Sequence, residues 1–382
     1  MKTSTEKILT THVGSMPRPI ELSEILYKVE FQEPYNREAF EKITKESVVS
    51  TVNNQINWGL DIINDGEMSK TGYATYIQQR LHGFSGESKS IRFDDMSNFP
   101  EYRKSQASAA GTRRLHRPCC ESEIMIRDRE PLERDIKNLK SAAENTEALE
   151  VFMNSASPGV IAIFQDNKYY PTEEEYLFAL ANVMKYEYEK IVEAGFVLQI
   201  DCPDLAMGRH TVFRELTDKE FVSKAAMQIE ALNSALENVP EDRVRMHICW
   251  GNYEGPHHKD IPLISILDEV LKAKAMAFLV EAANPRHAHE WEIFKKIKLP
   301  DSKILIPGVI DSVTNYIEHP ELVAQRICQF ANLLGRDRVI AGADCGFATF
   351  SGMGAVDPKI VVEKLKSLVE GANIASKRLW KS

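Results

Sequence analysis

The sequence predicts a (β/α)8 barrel, the TIM-barrel form of the α/β class. Short apolar runs rich in β-branched residues alternate with longer amphipathic stretches, as in a parallel sheet covered by helices. Eight runs favour a closed barrel over an open doubly wound sheet, although the count alone leaves the open sheet as an alternative. The runs cover residues 8–13, 60–64, a part of 150–164, 196–200, 244–249, 277–281, 304–309 and 339–343.

The stretches between these runs have the length and apolar spacing of amphipathic helices. Glycine often closes them: Gly59, Gly195, Gly335 and Gly371 stand where a helix C-terminal cap is expected. The predicted helices cover residues 38–58, 173–194, 218–237, 261–274, 288–298, 320–334 and 358–371.

Composition narrows the classes of function. The 382 residues are 43% hydrophobic and 27% charged, with a formal net charge of −9. We expect a single domain over residues 1–382, because barrels with insertions reach this length. The acidity argues against nucleic acid and anionic membranes as partners. The absence of a signal-peptide pattern, and six cysteines without framework spacing, favour a cytoplasmic protein.

One charged, turn-rich segment, residues 84–146, interrupts the alternation of strands and helices. An insertion of this length is typical of a lid over a site or of an oligomerisation arm. A solvated surface excursion is an equal alternative. The segment therefore leaves a homodimer open.

The stretch RMHICWGN places His247 and Cys249 on one face of a predicted strand, at its carboxyl end. Alone, this pair is better explained as a core histidine beside a buried thiol. The next run ends in Glu281, a carboxylate that needs a partner because buried charge is costly. The last predicted strand, in RVIAGADCGFAT, ends in Cys345. Barrels bring such strand ends to one rim, and His, Cys, Glu and Cys form a ligand set suited to Zn²⁺.

These motifs resemble the cobalamin-independent methionine synthase family, specifically its C-terminal catalytic barrel. They also resemble its short stand-alone relatives, which include the epoxyalkane:coenzyme M transferases. The family's zinc motif is matched by His247-x-Cys249, by Glu281 in FLVEAANP and by Cys345-Gly in GADCGFAT. The resemblance runs from residue 10 to about residue 368, and it implies these four residues as zinc ligands.

The resemblance also implies substrate-binding residues. Ser15 in THVGSMPRP and Glu67 in IINDGEMSK would contact the amino-acid part of a thiol substrate, Glu67 through its ammonium. Asp201 in LQIDCPDL and Asp311 in IPGVIDSVTN match catalytic aspartates, and Asp201 would also contact the substrate. His12 resembles the short relatives and is a further substrate-binding candidate. Helix capping by Glu67 and Asp201, and a proline-bearing turn at Ser15, are the structural alternatives.

Three departures from the family concern the donor side. Cys202 replaces a glutamate, and residues 312–314 lack the histidine that helps to protonate the folate product. The tryptophan expected after NSASPGVIAIF is also absent, with Phe164 or Tyr169 as substitutes. The sequence therefore keeps the zinc and thiol half of the family pattern and changes the folate half.

The resemblance implies a zinc-dependent S-alkyltransferase. It would hold homocysteine or a similar thiol as a zinc thiolate that attacks an alkyl donor, above all a methyl donor such as a folate. An epoxide:thiol transferase of the coenzyme M type, with His12 or His210 near the alkoxide, stays open. So do a decarboxylase of the uroporphyrinogen type, which needs no zinc, and a non-catalytic zinc or thiol-binding protein.

Overall fold

The structure is a computed structural model that describes residues 1–109 and 116–380. A seven-stranded parallel sheet curls into a barrel in the order β1-β4-β5-β6-β7-β8-β9, and β2 pairs with β3 in a separate antiparallel ribbon. The predicted α/β barrel is confirmed. The strands are β1 (Ile62–Ile63), β2 (Leu81–Ser85), β3 (Cys119–Ile126), β4 (Glu150–Ala156), β5 (Val197–Asp201), β6 (Val244–Ile248), β7 (Ala277–Val280), β8 (Ile304–Ile310) and β9 (Gly342–Ala343).

The predicted first strand, residues 8–13, forms a single parallel bridge rather than a regular strand. On one side, Ala341 N donates to Leu9 O at 2.8 Å and Thr11 N donates to Ala341 O at 2.9 Å. On the other side, Ile62 N donates to Thr10 O at 3.0 Å. The segment therefore lies between β9 and β1 and occupies the eighth position of the ring. The ladder is too short to count as a strand because only these few backbone bonds form.

Eleven α-helices occur in the described residues. Side-chain caps begin several of them, as in the capping box of Thr217 and Glu220 at the start of α8. The predicted helix over residues 288–298 is instead a 3₁₀ helix, Glu290–Lys295. The helices are α1 (Ile20–Glu30), α2 (Arg37–Asn57), α3 (Pro100–Ala109), α4 (Glu130–Ala143), α5 (Pro158–Phe164), α6 (Glu173–Glu193), α7 (Met207–His210), α8 (Asp218–Ala235), α9 (Leu263–Val270), α10 (Pro320–Leu334) and α11 (Pro358–Leu379).

Alternate residues of the strands fill the inside of the barrel. A small apolar cluster there includes Phe152 of β4 and Leu279 of β7, while a larger cluster packs the outer faces of the strands against the helices. The charged side chain of Arg245 also lies within this interior. Arg245 donates to Gln199 Oε1 at 2.8 Å and to Thr11 Oγ1 at 3.0 Å. These bonds tie the middle of β6 to β5 and to the N-terminal segment.

No described helix has the length and apolar character that a membrane crossing requires.

Part of the predicted insertion covers the carboxyl ends of the strands. The Phe93 ring lies 4.3 Å from the ring of Tyr253, and Tyr102 Oη donates to Glu254 O at 2.7 Å. Lys259 forms an ion pair with Asp94 at 2.5 Å. Residues 93–102 thus fit the lid alternative, since they rest on the loop that follows β6. Residues 110–115 of the insertion lie outside the described residues.

The predicted cap at Gly371 is wrong, because α11 continues through it to Leu379. A Cβ on Gly371 would lie 2.4 Å from Val323 Cγ1 and 2.9 Å from Pro320 O. This glycine therefore lets α10 and α11 approach closely rather than ending a helix. The other three predicted caps have φ values between 88° and 96°, the left-handed conformation expected of them.

Gly371→Ala is expected to lower the free energy of unfolding by about 1–3 kcal/mol, the usual cost of overpacking. Val323→Ala in the same chain should recover only part of that loss, because it removes Val323 Cγ1 but keeps Val323 Cβ, which would lie 2.5 Å from the new Cβ. Urea denaturation of both single variants and the double variant measures the coupling. Gly195→Ala is the control for coupling: the φ of 96° makes this substitution destabilising by itself, but nothing lies within 4 Å of the new Cβ, so its effect should not depend on Val323. An uncoupled pair at 371 and 323 would contradict the packing explanation.

Candidate metal and substrate site

Three predicted ligands meet at the carboxyl rim of the barrel. His247 lies on β6, Cys249 follows that strand, and Cys345 follows β9. One ligand atom of each side chain lies within 4.8 Å of the other two, and all three residues are buried. The spacing of two within β6 turns His247 and Cys249 to the same side, while the curl of the sheet brings in Cys345.

The chemistry of this three-atom cluster fits a metal ion. His247 Nδ1 is buried and has no hydrogen-bond partner in the described part of the chain. Burial, and next the charge of Arg245, lower the pKa of His247 to about 3, so its imidazole is neutral, as a metal ligand must be. Burial and the neighbouring Cys249 raise the pKa of the Cys345 thiol well above its usual range. A cation would offset that effect, and one nitrogen with two sulfurs suits Zn²⁺.

Glu281, the fourth predicted ligand, lies beside the cluster rather than within it. The Cys345 thiol donates to Glu281 Oε1 over 3.6 Å. The same oxygen accepts from Trp250 N at 2.8 Å, and Oε2 accepts from Asn284 Nδ2 at 2.7 Å. Burial raises the pKa of Glu281 to about 7. The carboxylate is thus held at the edge of the cluster, and its place in a four-ligand set stays a prediction.

Asp344 positions the loop that carries Glu281, and the sequence analysis missed it. Its Oδ1 accepts from Ala282 N at 2.8 Å and Ala283 N at 2.9 Å, and its Oδ2 accepts from Asn284 N at 2.9 Å. A Cβ on Gly308 would lie 2.1 Å from Asp344 Oδ1, so a glycine is needed there. The signal was the acidic residue in the otherwise apolar run before Cys345.

A cavity of about 260 Å³ opens onto the cluster. It contains the three ligands and three of the residues predicted to bind substrate, so the structure brings both groups together. Aromatic side chains form much of the remaining wall. The lining includes Ser15, Glu67, Asp201, His247, Cys249 and Cys345, with Tyr73, Phe93, Phe164 and Phe350.

Glu67 presents an unpaired oxygen in a strained turn. Its φ is 56°, in the left-handed region that residues other than glycine rarely adopt. Arg18 holds the turn by donating to Glu67 O at 2.8 and 3.2 Å. Glu67 Oε2 is buried without a hydrogen-bond partner and lies 3.9 Å from Lys70 Nζ. Burial raises the pKa of Glu67 to about 7, against the opposing effect of Lys70.

Asp201 lies at the end of β5 and is supported by two amides. It accepts from Gln199 Nε2 at 2.8 Å and from Asn154 Nδ2 at 3.1 Å. Lys70 Nζ in turn donates to Asn154 O at 2.7 Å. Burial raises the pKa of Asp201 to about 6, and the two amides act against that rise. Two buried carboxylates thus line one cavity, where the cost of burying them would fall if a cationic group lay between them.

The sequence analysis did not identify Asn154 and Lys70, although both are polar residues beside predicted strand ends.

Ser15 takes its position from the turn after the N-terminal segment. Phe347 N donates to Ser15 O at 2.9 Å, and a Cβ on Gly346 would lie 2.1 Å from Ser15 Oγ. The glycine after Cys345 therefore leaves space for the serine hydroxyl.

Two predicted residues lie outside this cavity. The His12 ring is buried behind it, with Nε2 2.6 Å from Gln55 Oε1 and Nδ1 accepting from Gly14 N at 3.1 Å. Because both ring nitrogens are engaged, His12 serves the core. Asp311 accepts from Val313 N and Thr314 N and lines a neighbouring cavity of about 290 Å³ that also contains Glu281.

Of the three remaining candidates, one lines the cavity and two lie outside it. Phe164 lines the cavity beside the cluster, whereas Tyr169 is half exposed and does not belong to its wall. His210 is buried, and its Nδ1 lies 3.3 Å from Asp260 Oδ1. It packs behind Phe93 at a ring distance of 5.9 Å, outside the cavity lining.

Comparison with known proteins places this site in a family. Residues 166–373 match the model of the cobalamin-independent synthase catalytic domain. A methionine synthase of Saccharolobus solfataricus is 26% identical over 373 residues, covering 97% of this chain and 95% of that protein. A methionine synthase of Thermococcus kodakarensis is also 26% identical, covering 97% and 94%.

A solved structure shares the fold. It is a B12-independent methionine synthase from Shewanella sp. W3-18-1 in complex with selenomethionine, with a TM-score of 0.75 at 19% identity, covering 98% of this chain and 99% of that one. The family match includes the strand ends that carry all four predicted metal ligands. The chain belongs to the cobalamin-independent methionine synthase family of methyltransferases, within which residues 166–373 form the catalytic-domain match.

Proposed function

We propose that this protein is a zinc-dependent methyltransferase that acts on homocysteine. The observation that carries the proposal is the opening of the His247, Cys249 and Cys345 cluster onto the cavity that contains Glu67 and Asp201. A thiol and an ammonium group of one small amino acid would thereby find their partners in a single site. The relatives are methionine synthases, and methionine is the product that methyl transfer to homocysteine would give.

His247, Cys249 and Cys345 would hold the zinc ion, with Glu281 as the fourth ligand from the edge of the cluster. When bound, zinc would supply the positive charge that keeps a substrate thiol deprotonated near neutral pH. The chain's own part is to present two sulfurs, one neutral imidazole and one oriented carboxylate in a buried site. Asp344 and Trp250 keep that carboxylate in place through the loop after β7 and the backbone after β6.

The amino-acid part of homocysteine is expected to lie between the two sides of the cavity. Glu67 and Asp201 would bind its ammonium, and Ser15 would bind its carboxylate. The aromatic walls, with Phe93 on the lid side, would exclude water and so strengthen these charged contacts. Asp311, in the neighbouring cavity, would act on the donor side of the reaction.

The zinc-loaded protein is expected to form methionine from homocysteine and a methyl donor. A donor panel of methylfolate with one or three glutamates, methylcobalamin and S-methylmethionine, followed by mass spectrometry of methionine, tests this. Epoxypropane with a thiol is a parallel arm for the epoxide alternative. Absence of methionine with every donor, from protein with stoichiometric zinc, would rule out the proposed reaction.

Cys249→Ser and Cys345→Ser are each expected to lower zinc affinity at least about ten-fold, since loss of a ligand should exceed the effect of losing a supporting contact. Metal analysis after competition with a chelator measures the change. Cys119→Ser and Cys328→Ser are matched controls, because both are free cysteines outside the cluster. Wild-type zinc affinity in both cluster variants would refute the metal assignment.

Glu67→Gln is expected to stabilise the protein at alkaline pH while weakening homocysteine binding. The pKa of Glu67 rises from 4.5 to about 7 on folding, so the native state loses stability as pH increases through that window. Replacement removes this loss, and we expect a gain of about 1–3 kcal/mol at pH 8 that vanishes near pH 4. Urea denaturation of metal-free protein at both pH values measures it.

The same variant should raise the KM for homocysteine about ten-fold or more, because a neutral amide binds an ammonium less strongly than a carboxylate does. Glu24→Gln, on the exposed face of α1, is the matched control and should change neither quantity. An unchanged homocysteine KM in the Glu67 variant would remove Glu67 from the substrate site.

A further inference from the structure

A separate cavity of about 300 Å³ lies away from the metal cluster. The end of α1, the start of α2, the start of α4 and residues 71–79 line it, and we call it the α1–α4 cavity. None of the predicted metal ligands or substrate-binding residues belongs to its wall. Its volume is at the lower end of the range for small-molecule sites, so it suits a ligand about the size of an amino acid.

Glu30, at the end of α1, brings a carboxylate without a counter-ion to the α1–α4 cavity. Its Oε1 accepts from His116 N at 3.2 Å, and no cation pairs with it in the described part of the chain. Burial raises the pKa of Glu30 to about 7, and the hydrogen bond from His116 acts against that rise. A ligand cation in the cavity would offset the cost of keeping this carboxylate ionised.

Arg134, on α4, brings an incompletely paired guanidinium to the same cavity. Its Nε is buried and has no hydrogen-bond partner among the described residues. Its Nη2 lies 3.6 Å from Oδ1 of the adjacent Asp135, whose Oδ2 already accepts from Arg80 at 2.7 Å. Arg37, which also lines the cavity, is by contrast paired with Glu130. The guanidinium of Arg134 can therefore still bind an anionic group.

Glu30 and Arg134 are the two charged residues of the described wall that are partly shielded from water. A carboxylate and a guanidinium on different helices complement a ligand that carries both an ammonium and a carboxylate group. A ligand with only one charge would leave one of the two side chains without a partner. The other charged lining residues, all exposed, are Glu33, Arg37, Arg127, Asp128 and Glu130.

Apolar side chains form much of the remaining wall of the α1–α4 cavity. Phe40 is 1% exposed, and its ring lies 5.7 Å from the ring of Tyr35 and 5.2 Å from the guanidinium of Arg134. Val29 and Pro131 line the cavity as well. These groups gain most by covering an apolar surface. The wall therefore favours an α-amino acid with an apolar side chain over one with a charged side chain.

One segment of the chain borders both this cavity and the cavity beside the metal cluster, which we call the substrate cavity. Glu67 and Tyr73 line the substrate cavity, whereas Thr71 and Thr75 line the α1–α4 cavity. The two threonine hydroxyls lie 3.3 Å apart, and Thr71 O accepts from Ser351 N at 2.8 Å. A ligand that immobilises the threonines therefore acts on the backbone that positions Glu67 and Tyr73.

We propose that the α1–α4 cavity binds a free α-amino acid with an apolar side chain, and that residues 67–75 transmit the effect of binding to the substrate cavity. The two opposite, incompletely paired charges identify the zwitterion. The apolar wall identifies the class of side chain. The inference goes beyond the proposed function, because it concerns a second site and requires no turnover.

Calorimetric titration of the zinc-loaded Glu67→Gln protein with L-norleucine tests the binding. This background weakens amino-acid binding in the substrate cavity, and norleucine has no sulfur to contact a metal. One binding site is expected to remain. Norleucinamide and N-acetylnorleucine each keep only one of the two charges, and both should bind at least about ten-fold more weakly, because each loses one charge-assisted contact.

Adding Glu30→Gln or Arg134→Gln to the same protein should lower the affinity for L-norleucine at least about ten-fold. Glu24→Gln and Lys137→Gln are the matched controls, since they remove the same charges from exposed residues of α1 and α4 outside the cavity. Absence of norleucine binding, equal binding of the singly charged analogues, or an affinity that depends on neither Glu30 nor Arg134 would overturn the proposed site.

Hydrogen exchange measures the effect on the substrate cavity. Because Ser351 N donates to Thr71 O, L-norleucine should slow exchange of the Ser351 amide in the Glu67→Gln protein. Addition of Arg134→Gln should abolish that protection, whereas Lys137→Gln should preserve it. Norleucine binding that leaves the exchange of Ser351 unchanged would overturn the coupling between the two cavities.

Discussion

Burial of three ligand atoms within 4.8 Å of one another at the rim of the barrel is the constraint on which the rest of the site depends. His247 Nδ1 has no hydrogen-bond partner in the described chain, and burial raises the pKa of the Cys345 thiol well above its usual range. Such an arrangement is costly unless something compensates it. A cation compensates it directly, which is why the geometry of the cluster, more than any single residue, points to a metal.

Much of the surrounding structure keeps these atoms in place. Arg245 ties the middle of β6 to the N-terminal segment that closes the ring, so the strand that carries His247 cannot shift alone. Asp344 holds the loop after β7 through three backbone amides and thereby orients Glu281. Glycines at positions 308 and 346 provide space for Asp344 and Ser15. Ordinary hydrogen bonds and close contacts thus hold in place a cluster of ligand atoms whose burial costs free energy.

The substrate side shows a similar balance between stability and function. Glu67 has a left-handed backbone conformation and a buried oxygen without a hydrogen-bond partner. Its raised pKa shows that this position disfavours the ionised carboxylate. Arg18 and Lys70 reduce the cost without removing it. Strain of this kind persists at functional sites because the surrounding fold over-determines it.

The sequence by itself predicted an α/β barrel, with an open sheet as the alternative, and the residues at the carboxyl ends of its strands. Period-two spacing, helix caps and turn glycines are local signals, so they can be recognised in the sequence before the fold is known. The sequence also predicted that His247, Cys249 and Cys345 would meet at one rim, because each lies at or just beyond the carboxyl end of an apolar run.

Only the tertiary structure decided what depends on distant packing. The sequence predicts a helix cap at Gly371, but in the structure this glycine lies inside α11, where α10 packs closely against it. The sequence makes His12 a candidate substrate contact, but in the structure Gln55 contacts one of its ring nitrogens. Glu281 lies beside the cluster because Trp250 and Asn284 hold its oxygens.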